Sequence, residues 1–364
     1  MLEATGLSSL FTPLLLAAGV LLGIAVADTQ EVYIRELSVP PSFTRAGFTP
    51  TVVDNRIHDN LLALERTART RPETRRLATE ADKTPLELIA EYLNITLIAR
   101  ALQDASSLIE YSINGMIVQD GTNHVMRLAV RHRGGSRVNV VITRPQAQIE
   151  ELLQDAAAAI LQVIDPHILC TVRLREGLSQ TPRNVAAAQQ CITASMPLAS
   201  RADLLWLYNL QGVVAFMGND HEGATHAFRA ALRINPDFSP ALLNLGILLS
   251  QNGRHEEAIR SYALVFRREG RGESPQTYAA TYAEWGNSLM ALRRQPEALQ
   301  RYADAVRADP RYALAYFFWA DALPPGPEAE RLRARGRLVQ QRNDQLYTEN
   351  LVGVIRETRV TPPN

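Results

Sequence analysis

The chain has 364 residues, 46% hydrophobic and 21% charged, which is too apolar for general disorder and long enough for two domains of ordinary size. Lys+Arg and Asp+Glu both total 38, so the formal net charge is zero. The excess positive charge that releases counterions from phosphates is missing, and nucleic acid is not an expected partner. Lys83 is the only lysine, which removes P-loop and Schiff-base chemistry outside its neighbourhood.

From Leu10 to Ala27 the sequence LFTPLLLAAGVLLGIAVA carries no charge and reads as an N-terminal apolar helix at the lower edge of membrane-spanning length. Ala25-Val26-Ala27 before Asp28 fits a signal-peptide cleavage site. The preceding MLEATGLSS lacks Lys and Arg and contains Glu3, which favours an uncleaved anchor. Residues 1–30 are therefore expected to be a membrane anchor or signal segment.

Residues 31–164 read as a small α+β domain. Glu31 to Val39 has strand composition and is stopped by Pro40-Pro41. A helix is expected from Thr49-Pro50 through Val53, Ile57, Leu61, Leu62 and Leu64, followed by an arginine-rich run that reads as a solvated face. Thr84-Pro85-Leu86-Glu87 combines a capping threonine, a proline at the first helical position and a glutamate three residues on, so a second helix is expected there. Strands are expected at 107–118, 124–132 and 137–143, with Met126, Leu128 and Val130 alternating against Arg127, Ala129 and Arg131. A helix over 147–164 should present Ile149, Leu152, Leu153, Ala156 and Ile160 to the sheet. This element order resembles the N-terminal domain of the TolB-like proteins.

Beyond residue 165 the dominant signal is a repeat. Gly212 and Gly246 lie 34 residues apart, and other small and aromatic positions move with them. Tyr208, Gly212, Ala224, Phe228, Ala231 and Pro236 are followed by Leu242, Leu245, Gly246, Ala258 and Tyr262. Tyr282, Trp285, Gly286, Ala298, Tyr302, Ala305 and Pro310 come next, and Tyr316, Trp319 and Ala320 open a partial fourth copy. A glycine on the first helix of each pair permits close approach of the second, and no pair can bury its apolar face alone, so the pairs must stack. The pattern is identified as a tetratricopeptide-repeat (TPR) array over residues 165–323, an all-α solenoid. About six extra residues, 271–276, lengthen the connection before the third copy. Upstream, 167–177 and 184–194 look like a degenerate pair carrying Cys170 and Cys191, which a disulfide would join if the body is exported; otherwise they are small buried hydrophobes. Residues 324–364 read as a solvated capping helix and tail.

The resemblance implies a protein-binding groove lined by the first helices. It places there Trp206, Asn209, Val213 and Phe216, then Leu243, Asn244 and Ile247, then Asn287 and Met290, then Phe317 and Asp321. Trp206, Phe216 and Phe317 are the expected anchors, since aromatic side chains dominate binding energy. The alternative is that they pack against neighbouring elements. With no lysine in the groove, an apolar or amphipathic protein segment is the expected occupant.

His221 and His226 are five residues apart and fall on different faces of a helix, so no metal site is expected from them. No nucleophile elbow or phosphate loop is visible, and neither a cofactor nor an enzymatic activity is expected. The chain resembles bacterial membrane-anchored TPR proteins with a small α+β head, which implies a cell-envelope scaffold held to the inner membrane by its N-terminal segment, with a periplasmic body. Export after cleavage and a cytoplasm-facing body are the alternatives for location. The competing function is a ligand sensor or enzyme built on the α+β domain, with the repeats serving dimerisation.

Overall fold

The structure is a computed structural model that describes residues 32–35, 37–68, 77–79, 110–133, 135–180, 184–268 and 274–343. The expected apolar segment 10–27, the expected helix from Thr84 and the C-terminal tail lie outside the described residues. Among the described residues no helix is long and apolar enough to cross a membrane. The described chain is mostly helical, with one small sheet near its N-terminus. It forms two compact units, one ending at Ile164 and one running from Asp165.

The first unit holds strands β1 (Val32–Ile34), β2 (Leu77–Thr79), β3 (Tyr111–Asp120), β4 (Asn123–His132) and β5 (Arg137–Pro145) in the order β2-β1-β3-β4-β5. β1 runs parallel to both its neighbours, whereas β3, β4 and β5 are antiparallel. The β3–β4 register carries the ladder to Asp120 and Asn123, leaving Gly121-Thr122 as a two-residue turn. Gly121 has φ of 57°, the left-handed conformation such a turn demands. β2 was not expected: three residues show no alternation, and only pairing with β1 defines the strand.

The described helices of this unit are α1 (Pro41–Arg45), α2 (Pro50–Ala68) and α3 (Ile149–Ile164). β1 stops at Ile34, short of the expected end at Val39, with only an isolated bridge from Ser38 to Met116 beyond it. Pro41 opens α1, because proline fixes φ and lacks only an N–H that the first turn leaves unpaired anyway. The expected stripe of α2 is buried at Val53, Ile57 and Leu61, spaced four residues apart. On α3, Leu152, Leu153, Ala156 and Ile160 are fully buried. Met126, Leu128 and Val130 of β4 are buried and Arg127 and Arg131 are exposed, as expected. Val125 and Ala129, on the same face as the arginines, are buried too, so that face is only partly open.

His124 lies on the same sheet face as Met126, with its ring 4.5 Å edge-on from Phe43 of α1. It is 4% exposed, and neither ring nitrogen finds a hydrogen bond. Burial therefore pushes its pKa below 6.5, because charging the ring there lacks compensation. The neutral ring's contribution is complete above pH 6.5 and is lost as pH falls from there through the lower folded-state value. Acid titration of thermal stability should show a loss over this interval. His124→Leu should remove that component without lowering stability at pH 8, since leaving out an unpaired buried polar group has no hydrogen-bond cost. An unchanged acid profile in the variant would refute the assignment.

Among the described residues the second unit stacks ten helices as five antiparallel pairs in a solenoid: α4 (Pro166–Leu178) with α5 (Ala186–Ser195), α6 (Arg201–Met217) with α7 (His221–Ile234), α8 (Ser239–Gln251) with α9 (His255–Val265), α10 (Pro275–Ala291) with α11 (Gln295–Ala308), and α12 (Ala313–Ala322) with α13 (Pro327–Asn343). In the three central pairs the same contact recurs. A Cβ placed on Gly212, Gly246 or Gly286 would stand 2.4, 2.3 or 2.5 Å from the ring of Phe228, Tyr262 or Tyr302. Those rings and the facing Ala224, Ala258 and Ala298 are buried. The turn between first and second helix places Asn219, Gly253 and Arg293 in the left-handed region, with φ of 62°, 75° and 60°.

One boundary inside the array is refined, and the last helix packs more fully than its composition suggests. Pro275 and Gln276 are the first helical turn of α10, capped by the Ser274 hydroxyl accepting from the Thr277 N–H at 3.1 Å, and are not part of a longer connection. α13, the expected capping helix, is exposed along most of its length and packs on α12 as the second helix of a fifth pair. Ala329, Gly336 and Val339 are buried, and Arg333 reaches back to Asp321 on α12 at 3.1 Å. In the first pair Cys170 of α4 and Cys191 of α5 are joined by a disulfide, their Cα atoms 5.4 Å apart.

Candidate partner-binding surface

The residues assigned to the groove sit on α6, α8, α10 and α12, but packing uses most of them. Asn244 on α8 donates to the Asn209 Oδ1 on α6 at 2.9 Å, and both side chains are buried. A buried amide left unpaired is costly, so this bond locks the register between successive first helices. Val213, Leu243 and Ile247 are also buried, and α8 is closed to solvent from Ala241 to Leu249. These five residues are the floor of the array and present little surface to a partner.

Asn287 is occupied on both sides: it donates to Glu284 at 3.1 Å and accepts from the Tyr302 hydroxyl at 2.9 Å. Burial, with the Asp321 carboxylate adding to it, raises the Tyr302 pKa well above its ordinary value, so that hydroxyl stays a donor. Met290 packs at the edge of the cluster around Leu289 and Tyr302. Asp321 accepts from Arg333, and Phe317 lies against Gly336 of α13, where a Cβ would stand 2.9 Å from its ring. Phe317 therefore holds the last pair together.

The other two expected anchors are half-buried. Trp206 meets Phe238 edge-on at 5.0 Å and His167 of α4 at 4.9 Å, while Phe216 stacks on His221 at 5.6 Å. His221 also bonds the Asn252 side chain at 2.8 Å, which ties α7 to the end of α8. Among the described residues no group of three or more His, Cys, Asp or Glu side chains is arranged to hold a metal ion.

One cluster escaped sequence reasoning. Phe266, just after α9, stacks on Tyr278 at 5.4 Å and on Tyr282 at 4.2 Å, and Trp285 lies 6.3 Å away. The Arg301 guanidinium of α11 covers Trp285 at 4.7 Å and Tyr282 at 5.7 Å. All five side chains are half-buried or better exposed, and Tyr, Trp and Arg are the residue types enriched at interface hot spots. The repeat signature points to Tyr282 and Trp285 as packing positions, so their shared outer surface carried no separate signal. An open pocket of about 610 Å³ lies between α5, α6 and α7, lined by Asn184, Gln189, Gln211, Val214 and Asp220 among others. None of the residues assigned to the groove lines it.

Paired helices, a 34-residue period and the glycine–ring contact together define a tetratricopeptide-repeat protein, a class that in general mediates protein interaction. Residues 227–260 match the tetratricopeptide-repeat family. No curated protein matches the sequence. Among solved structures, a MamA double mutant from RS-1 is 13% identical, covering 50% of this chain and 99% of its own, with a TM-score of 0.37. PilF of Pseudomonas aeruginosa is 17% identical over 52% of this chain and 83% of its own, with the same score of 0.37. The anaphase-promoting-complex assembly Cut9–Hcn1 is 12% identical over 59% and 40%, with a TM-score of 0.38.

Proposed function

We propose that the chain is a non-enzymatic scaffold of the bacterial cell envelope that recruits a protein partner through its TPR array. The observation that carries this reading is the placement of tryptophan. The sequence holds three, Trp206, Trp285 and Trp319, and all three lie on first helices of pairs and stay half-buried. A large amphipathic ring kept partly in water contributes most when a partner completes its burial. With Val213, Leu243 and Ile247 closed off, the contact surface runs over the rims: Trp206 and Phe216 at one end, and Tyr282, Trp285 and Arg301 at the other. An apolar or amphipathic segment suits such a surface.

The envelope assignment is supported by the charge-free stretch from Leu10 to Ala27 and by the Cys170–Cys191 pair, since disulfides persist in oxidising compartments and are rare in the cytosol. Membrane attachment through residues 1–30 with a periplasmic body fits both.

The test is crosslinking of the full-length protein in its native membrane, read by mass spectrometry, beside Trp206→Ala and Trp285→Ala. A captured partner lost by at least tenfold in either variant is the expected result. A partner retained equally in both would refute binding through these rims. Phe317→Ala is unsuitable, because its ring holds α13.

A further inference from the structure

We propose that the first unit pairs with a second copy of itself through β5, whose outer edge is built for antiparallel self-association. Its two sheet edges differ sharply. β2, at one edge, is three residues long, and shortness by itself protects an edge. β5, at the other, is nine residues long and pairs only with β4 among the described residues. Its ladder runs without a bulge from Pro145 opposite Asn123 to Arg137 opposite Arg131. The stretch from Val138 to Thr143 contains no charge and no proline, so none of the usual guards interrupts it.

The hydrogen-bond phase defines which residues a partner would meet. His132 donates to the Ser136 carbonyl and Gln146 donates to the Thr122 carbonyl, so even-numbered residues face β4. The N–H and C=O groups of Arg137, Asn139, Val141 and Thr143 therefore point outward, while Pro145 contributes a carbonyl alone. A two-fold axis at Val141 pairs these residues with one another: Val141 with Val141, Asn139 with Thr143, and Arg137 with Pro145 of the second copy. This register uses the whole strand and opposes no two like charges. Arg144 falls opposite Val138 and is already held by Asp155 of α3 at 2.6 Å. Val141 is 63% exposed, the highest value among the exposed large hydrophobic residues, and the axis would cover it with its own copy. A dimer of this kind would carry two TPR arrays and could hold a bivalent partner with gained avidity.

The register makes a test that dimerisation by any other route would fail. Cys170 and Cys191 are already joined, so an introduced thiol is the only reactive one. Directly opposed residues of a hydrogen-bonded antiparallel pair have Cα atoms about 5.5 Å apart, within disulfide reach. Full-length protein in mild detergent, oxidised with copper phenanthroline, should give a covalent dimer with Val141→Cys. Asn139→Cys and Thr143→Cys should each stay largely monomeric alone and crosslink when mixed. Sedimentation should show a dimer for the wild type, reduced to a monomer by Val141→Arg with circular dichroism unchanged. A wild-type monomer at tens of micromolar overturns the proposal, as does a dimer indifferent to Val141→Arg or a crosslinking pattern that ignores the register. Partner capture in native membranes is read separately, so failure here leaves the binding reading standing.

Discussion

Replacing Gly246 by alanine is expected to destabilise the TPR array by about 2 kcal/mol, although alanine is the better helix former. A Cβ at this position would stand 2.3 Å from Cε1, 2.7 Å from Cδ1 and 2.9 Å from Cζ of Tyr262, whose ring is fully buried. Two effects compete. Glycine to alanine inside a helix gains about 1 kcal/mol of propensity. Forcing a methyl group into a filled core costs about 1–3 kcal/mol, and three ring atoms inside contact distance put this site at the upper end. Overpacking wins. Gly336→Ala is the internal control, since its Cβ would stand 2.9 Å from one edge of the Phe317 ring, and Phe317 is half-buried with room to shift. There the propensity gain offsets the crowding and the net change should be near zero. Chemical denaturation of both variants, with Gly246→Ala/Tyr262→Leu as a rescue, checks the account. Equal losses at the two glycines would sink it.

Loss of the Cys170–Cys191 disulfide is expected to cost about 3 kcal/mol, concentrated in the first helix pair. The two cysteines are 21 residues apart, so the bond removes the loop-closure entropy of a loop of that size from the unfolded chain. It joins fully buried Cys170 on α4 to Cys191 on α5, next to Ile192, which fills the buried ring position of this pair with a smaller side chain. The first pair has no aromatic ring at that position, so the covalent link carries a larger share of its stability. Hydrogen exchange on a Cys170→Ala/Cys191→Ala variant should show faster exchange in α4 and α5, with α10 and α11 near their original protection. Uniform acceleration across all five pairs would instead mean that the array unfolds as one unit. No change anywhere would mean that the bond contributes nothing to stability.

Much of this architecture was legible in the sequence because the decisive contacts are close in the chain. Gly212 and Phe228, Gly246 and Tyr262, and Gly286 and Tyr302 are each 16 residues apart, one helix and one turn. A pair of that span leaves its mark as a fixed spacing. The same holds for the β3–β4 hairpin, where alternation in Met126, Leu128 and Val130 follows directly from the pleat. What failed to show was whatever depends on contacts between pairs. Asn209 and Asn244 are 35 residues apart, and only stacking brings them together. Phe317 looked like a groove anchor until the helix beginning at Pro327 covered it with Gly336. β2 has no pattern of its own and exists because β1 offers it an edge.

By itself, then, the sequence determined a repeat array of helix pairs, a hairpin-bearing α+β unit and a chain without excess charge. Each of these follows from local periodicity or composition. Only the tertiary structure decided that α13 completes a fifth pair, that Val213, Leu243 and Ile247 lie under the surface, and that Tyr282, Trp285 and Arg301 share one shelf. Exposure at these positions results from how successive pairs are stacked, a quantity summed over neighbours that no single repeat encodes.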